Sequence, residues 1–108
     1  MSNAVQQQID EAVKNNDVIL FMKGTPDFPQ CGFSQRVAAI LSEYNVPFAA
    51  VNILLDEAIR QGIKDYSDWP TIPQLYVKSE FIGGCDIVTE MHASGELQEL
   101  LAPFKKEA

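Results

Sequence analysis

Five consecutive β-prone apolar residues, Val18-Ile19-Leu20-Phe21-Met22, are closed abruptly by Lys23-Gly24-Thr25-Pro26. The run lacks the polar alternation of a half-solvated strand and is too short for a buried helix. It predicts a strand buried on both faces, which needs cover from both sides. That cover is written on either flank. Upstream, Val5, Ile9 and Val13 recur every four residues and predict an amphipathic helix ending near Asn15-Asn16. Downstream, Val37, Ile40, Leu41 and Tyr44 mark a helix over residues 33–44, stopped by Asn45-Val46-Pro47.

The rest of the chain follows the same logic. Residues 48–53 predict a second strand, and Asp56 is placed to cap a third helix running through Ile59 and Ile63 to about Tyr66. Ser67-Asp68-Trp69-Pro70 predicts a turn. Residues 74–77 and 80–82 form two short strands only two residues apart, hence a hairpin, broken by Gly83-Gly84. Asp86 is expected to cap a helix through Ile87, Val88 and Met91. Gly95 punctuates before a last short helix marked by Leu97, Leu100 and Leu101. The order α-β-α-β-α-β-β-α-α combines an early parallel crossover with a late antiparallel hairpin. It predicts an α/β, thioredoxin-like fold: a four-stranded mixed sheet flanked by helices.

With 108 residues, 46% of them hydrophobic, one domain over residues 1–108 with one ordinary core is expected. No stretch approaches the roughly 18 uninterrupted apolar residues of a membrane span. Eight basic against fifteen acidic residues give a net charge of −7, which argues against a general nucleic-acid binder but not against a local positive pocket. Lys105-Lys106 is too short for a nucleic-acid arm. Two cysteines, Cys31 and Cys85, do not make a secreted disulfide scaffold. Residues 1–6 show neither a signal-peptide nor a transit-peptide pattern. The expected compartment is reducing: cytoplasmic, or the mitochondrial matrix if a transit peptide has been removed.

Cys31 lies between a loop and the start of a helix, where unpaired N–H groups and the positive dipole end favour thiolate over thiol. Thiolate is both the nucleophile and the metal ligand, so this position suits either task. Lys23, at the exit of the first strand, adds positive charge if the loop folds back. The tetrapeptide is Cys31-Gly32-Phe33-Ser34. A dithiol oxidoreductase needs a second thiol where Ser34 stands, and a hydroxyl cannot take part in thiol–disulfide exchange.

Four motifs in order, Lys23-Gly24-Thr25-Pro26, Pro29-Gln30-Cys31-Gly32-Phe33-Ser34, Trp69-Pro70-Thr71-Ile72-Pro73-Gln74 and Gly83-Gly84-Cys85-Asp86, resemble those of the monothiol glutaredoxins along essentially the whole chain. The resemblance implies glutathione bound beside Cys31 and a cis peptide bond before Pro73. It implies that the Ile72 backbone pairs with the cysteinyl unit of glutathione like an added strand. Gly83-Gly84-Cys85-Asp86 would receive the γ-glutamyl end, with backbone N–H groups for its carboxylate and Asp86 for its ammonium. Lys23 and Arg60 would take the glycyl carboxylate, with Lys64, one helical turn on, as an outside candidate. Two roles stay open for Cys85: lining the glutathione pocket or forming a regulatory disulfide.

The resemblance further implies a 2Fe–2S cluster. Such clusters are commonly held by four thiolates, and this chain offers one well-placed. Two chains and two glutathiones would make up the set, with Gly32 leaving room. A homodimer when cluster-bound, BolA-like proteins, and cluster donors and acceptors are the implied partners, with no nucleic acid and no membrane. The expected function is assembly, storage or transfer of 2Fe–2S clusters. The alternative is a glutathione-dependent oxidoreductase that removes glutathione from protein thiols by a monothiol route, with Cys31 as nucleophile.

Other residues carry plainer expectations. His92, the only histidine, is read as a surface residue, Trp69 as packing its turn, and the Leu97, Leu100, Leu101 stripe as core cover, with part of a partner surface as the alternative. Ser79 stands where family members often have glycine in the two-residue hairpin loop, which puts the turn type in question.

Overall fold

The computed structural model describes residues 3–105, so the leader reading at residues 1–2 and Lys106 lie outside the described residues. Helix α1 (Asn3–Asn15) leads into strand β1 (Val18–Met22), then α2 (Gly32–Glu43), β2 (Ala49–Asn52), α3 (Glu57–Ser67), the hairpin β3 (Gln74–Val77) and β4 (Glu80–Gly83), α4 (Cys85–Ser94) and α5 (Glu96–Leu101). The sheet order is β2-β1-β3-β4, with β1 parallel to β2 and antiparallel to β3, and β3 antiparallel to β4.

Every residue of β1 is buried, as an unbroken apolar run predicts. Its alternating side chains feed two cores. Val18, Leu20 and Met22 pack with Val37 and Leu41 of α2, Val88 of α4, and Leu97 and Leu101 of α5. Ile19 and Phe21 pack on the other face with Ile9 and Val13 of α1, Ile59 and Ile63 of α3, and Tyr76. The leucine stripe of α5 therefore is core cover. No helix among the described residues is long and apolar enough to cross a membrane.

Three local expectations are corrected. The second strand ends at Asn52, because Asn52 Oδ1 accepts the Leu54 N–H at 3.0 Å and turns residues 53–55 into a 3-10 turn. Asp86 does not cap α4: Gly84 is the N-cap, and no side-chain hydrogen bond closes that end. The backbone, extended at Gly84, enters the helix one residue before Asp86 can act, which leaves its carboxylate exposed. His92 is half-buried rather than a free surface residue. Its ring meets Tyr44 edge-on at 5.5 Å, sharing a hydrogen bond through Nδ1, and its Nε2 lies 3.9 Å from Glu43.

Other local signals hold. Asp56 caps α3 by accepting from the Ala58 and Ile59 N–H groups at 2.9 and 3.4 Å. The hairpin keeps a two-residue loop in which Lys78 and Ser79 both adopt positive φ, 52° and 68°. That is the primed-turn geometry that matches strand twist, so the closure overrides the residue preference at Ser79. Lys78 is tied down from outside the loop: its N–H donates to the Asp17 carbonyl at 2.8 Å.

Candidate functional site

The approach to Cys31 is pinned at several points. Gly24 adopts φ +92°, and a Cβ there would stand 2.6 Å from both the Gln30 nitrogen and the Phe28 carbonyl oxygen. Only glycine lets these strands of backbone meet. The Gly24 N–H donates to Asn52 Oδ1 at 2.9 Å, and the Gln30 N–H donates to the Lys23 carbonyl at 2.9 Å. Thr25 and Phe28 bond reciprocally through their backbones. The loop delivers Cys31 in extended conformation immediately before α2.

Ser34 is wholly buried, and its Oγ accepts the Lys23 N–H at 3.0 Å. Its hydroxyl therefore joins the end of β1 to the first turn of α2, besides filling the place of a second thiol. Partial burial pushes the Cys31 thiol up, but the Ser34 and Phe33 backbone N–H groups, the Ser34 hydroxyl and the Lys23 charge together hold it below the ordinary thiol value. Sequence reasoning anticipated the helix terminus and Lys23, and missed the hydroxyl because Ser34 was judged only as an absent cysteine.

This geometry makes a checkable prediction. Thiolate is the reactive form, so a lowered pKa enlarges the reactive fraction near neutrality. Alkylation of Cys31 by iodoacetamide, followed against pH by mass spectrometry, is expected to reach half its maximal rate at a lower pH than that of a free cysteine measured alongside. Ser34→Ala is expected to move that midpoint upward further than Lys23→Met, since the hydroxyl contact outweighs the ammonium charge.

Cys31 opens into a cavity of about 480 Å³. Lys23, Ile72, Cys85 and Asp86, all singled out from sequence, line it together with Cys31. Arg60 does not: it is half-buried on α3, and Lys64, one turn later, is the cation of that helix in the cavity wall. Trp69 also lines the cavity, 45% exposed and 6.2 Å from the Phe81 ring, so it does more than pack its turn. An exposed aromatic beside the Thr71-Ile72-Pro73 segment was the available signal. Phe33 is a further wall residue that sequence reasoning passed over.

The peptide bond between Ile72 and Pro73 is cis. Cys85 is a free thiol like Cys31, with its Sγ 3.9 Å from Thr89 Oγ1. At Gly32 a Cβ would meet no atom within 4 Å, so the space beside Cys31 is open. One activated thiol, two ammonium groups from β1's exit and α3, a carboxylate at the start of α4 and an apolar wall suit a small peptide carrying both charges and a sulfur.

A thioredoxin-like fold with a cysteine immediately before α2, and serine in the place of a resolving cysteine, defines a monothiol protein of that fold. The glutaredoxin family profile matches residues 18–82. Mitochondrial monothiol glutaredoxin-5 of Saccharomyces cerevisiae is 52% identical over 104 residues, covering 94% of this chain and 69% of its own length. Chloroplastic monothiol glutaredoxin-S7 of rice is 57% identical over 93 residues, or 86% of this chain, which spans only 55% of the rice protein. Among solved structures, reduced apo GrxS14 of poplar superposes with a TM-score of 0.79 at 56% identity, covering 92% of this chain and 91% of that one. A buckwheat glutaredoxin solved in complex with glutathione shares the fold, with a TM-score of 0.82 at 23% identity and coverage of 93% and 89%. The chain belongs to the glutaredoxin family, in its monothiol class.

Proposed function

We propose that this chain, as one glutaredoxin domain in a reducing compartment, binds glutathione beside Cys31 and carries a 2Fe–2S cluster as cargo between two copies of itself. The observation that carries the reading is the convergence of Cys31, Lys23, Lys64, Ile72, Cys85 and Asp86 on one cavity. Lys23 and Lys64 take the glycyl carboxylate, with Arg60 in support from the neighbouring turn. The Ile72 backbone takes the cysteinyl unit. Asp86 and the first N–H groups of α4 take the zwitterionic γ-glutamyl end, with Cys85 in the wall beside it.

Among the described residues no three His, Cys, Asp or Glu side chains gather as a metal-binding group. Iron at Cys31 therefore needs sulfur from outside the chain, and a bound glutathione supplies it. Two such pairs complete the four sulfurs of a cluster. Cargo held partly by a free small molecule is readily released, which suits exchange with cluster donors and acceptors and with BolA-like partners.

The test is anaerobic incubation with iron and sulfide, with and without glutathione, read by visible absorption, circular dichroism and size-exclusion mass. Cluster bands that need glutathione and elute as a dimer are expected. Glutathione binding without any cluster would overturn the carrier reading. For the glutathione site, a charge-assisted hydrogen bond is worth about 1.5–3 kcal/mol, so Lys64→Ala is expected to weaken binding roughly 10-fold or more. Arg60→Ala is expected to weaken it less; calorimetry decides between them.

The lowered pKa of Cys31 favours a second reading, the glutathione-dependent oxidoreductase. There Cys31 thiolate takes glutathione from a protein mixed disulfide, and a second glutathione releases it. Rapid turnover of a glutathionylated protein by cluster-free chain would favour that reading.

A further inference from the structure

Besides Tyr76, two polar side chains are buried among the described residues, Ser34 and Gln74, each 0% exposed. Burying such a group is costly unless its donors and acceptors are paired. Ser34 is accounted for by its bond to the Lys23 N–H. Gln74 stands at the start of β3, in register with Phe21 of the central strand, so the sheet holds its backbone. Its Nε2 donates to the Trp69 and Thr71 carbonyls, each at 3.2 Å. Its Oε1 accepts from the Tyr76 hydroxyl at 3.2 Å, two residues on along the same face of the strand. Carbonyl oxygens can only accept, so they fix which end of the amide meets them.

Both carbonyls belong to the segment that brings Ile72 into the cavity wall. Trp69 is tied at its other end too: its N–H donates to the Lys64 carbonyl and to Ser67 Oγ, both at 3.2 Å. Gln74 thus joins a rigid strand to Trp69 and Thr71 and, through Trp69, to the turn of α3 that bears Lys64. Among the described residues no main-chain hydrogen bond engages Ile72, which leaves its N–H and C=O for a ligand. Gln74 itself does not line the cavity.

We infer that Gln74 is a positioning residue of the glutathione site, holding the Trp69–Ile72 segment in its binding geometry from behind, with the Tyr76 hydroxyl orienting its amide. The inference rests on the reading that this cavity holds glutathione, with the Ile72 backbone against the cysteinyl unit. A wall already held in the bound geometry spares the ligand the cost of ordering it. A released segment adopts that geometry only part of the time, and the apparent affinity falls by that fraction.

The experiment is a titration of the reduced, full-length chain with S-methylglutathione, which cannot exchange. Binding is read by calorimetry and by the Ile72 amide shift in wild type, Gln74→Glu and Tyr76→Phe. Ionised glutamate has nearly the shape of glutamine but offers only acceptors to the two carbonyls, and burial raises its pKa. Protonation restores one donor. Tyr76, pushed by burial up to about 12, stays protonated throughout. Relative to wild type at the same pH, Gln74→Glu is expected to bind about tenfold more weakly or worse near pH 8 and to recover severalfold near pH 5. Tyr76→Phe should weaken binding about fivefold, without that pH dependence. The pH midpoint of Cys31 alkylation should stay put in both variants, because Ser34, Phe33 and Lys23 lower it and Gln74 does not.

Wild-type affinity in both variants, or a Gln74→Glu loss that is the same at both pH values, overturns the positioning role. So does an alkylation midpoint that moves together with affinity, since the defect then spreads through the whole site. If Gln74→Glu does not fold, Tyr76→Phe decides: unchanged affinity and an unchanged Ile72 shift overturn the role. No binding by the wild type overturns the glutathione reading itself.

Discussion

Replacing Cys31 by serine is expected to abolish iron–sulfur loading while leaving the fold intact. Cys31 is only partly exposed, yet its side chain belongs to neither core. It makes no capping hydrogen bond at the helix end it precedes. Serine keeps a polar atom facing the Ser34 and Phe33 N–H groups and the Ser34 hydroxyl, so no buried partner is stranded and a stability change within about 0.5 kcal/mol is expected. A serine hydroxyl stays protonated where the thiol, helped by Ser34, Phe33 and Lys23, ionises. Cluster bands in visible circular dichroism should fall to less than about a tenth of wild type, with glutathione still bound by the cavity's other residues. Cys85→Ser serves as the counterpart. Bands retained in Cys31→Ser but lost in Cys85→Ser would move the iron ligand to Cys85.

The largest stability effect is expected at Phe21. It is 1% exposed on the central strand β1, with its ring edge-on to Tyr76 at 5.8 Å. Tyr76 in turn touches the Phe81 and Tyr66 rings at 5.3 and 6.0 Å. Phe21→Ala removes one member of this aromatic group, and β1, hydrogen-bonded on both sides, cannot move inward to fill the space. A loss of about 3–5 kcal/mol is expected, which lowers the urea midpoint by on the order of 2 M if the slope is unchanged. Phe28→Ala is the comparison. Phe28 is 75% exposed at the tip of the loop before Cys31, and its truncation should cost under about 0.5 kcal/mol. Equal losses at both positions would contradict the two-sided core built on β1.

The pattern of success in reading the chain follows the range of the forces involved. β1 was legible because a five-residue apolar run has no low-energy solution except burial on both faces. The cap at Asp56 was legible because its partners, the Ala58 and Ile59 N–H groups, lie two and three residues away. The same local reasoning failed at Asp86. There the geometry of the preceding Gly83-Gly84 segment, rather than capping preference, decides where the helix begins. Asn52 ended a strand early through a side chain that also holds Gly24, a residue 28 positions away.

By itself the sequence determined the α/β element order, the strand that must be central, the lone activated thiol before a helix and most of the residues that surround it. These depend on apolar periodicity, turn chemistry and dipole placement, all of which act over a few residues. Only the tertiary structure decided that Lys64 rather than Arg60 faces the cavity, that Trp69 is part of its wall and that Ser34 links Lys23 to the helix carrying Cys31. It alone paired His92 with Tyr44 and set Arg36 against Thr89 across α2 and α4. Each of these depends on how one helix is rotated against another element. That rotation is set by the packing of whole cores on the two faces of β1, which no local stretch of sequence contains.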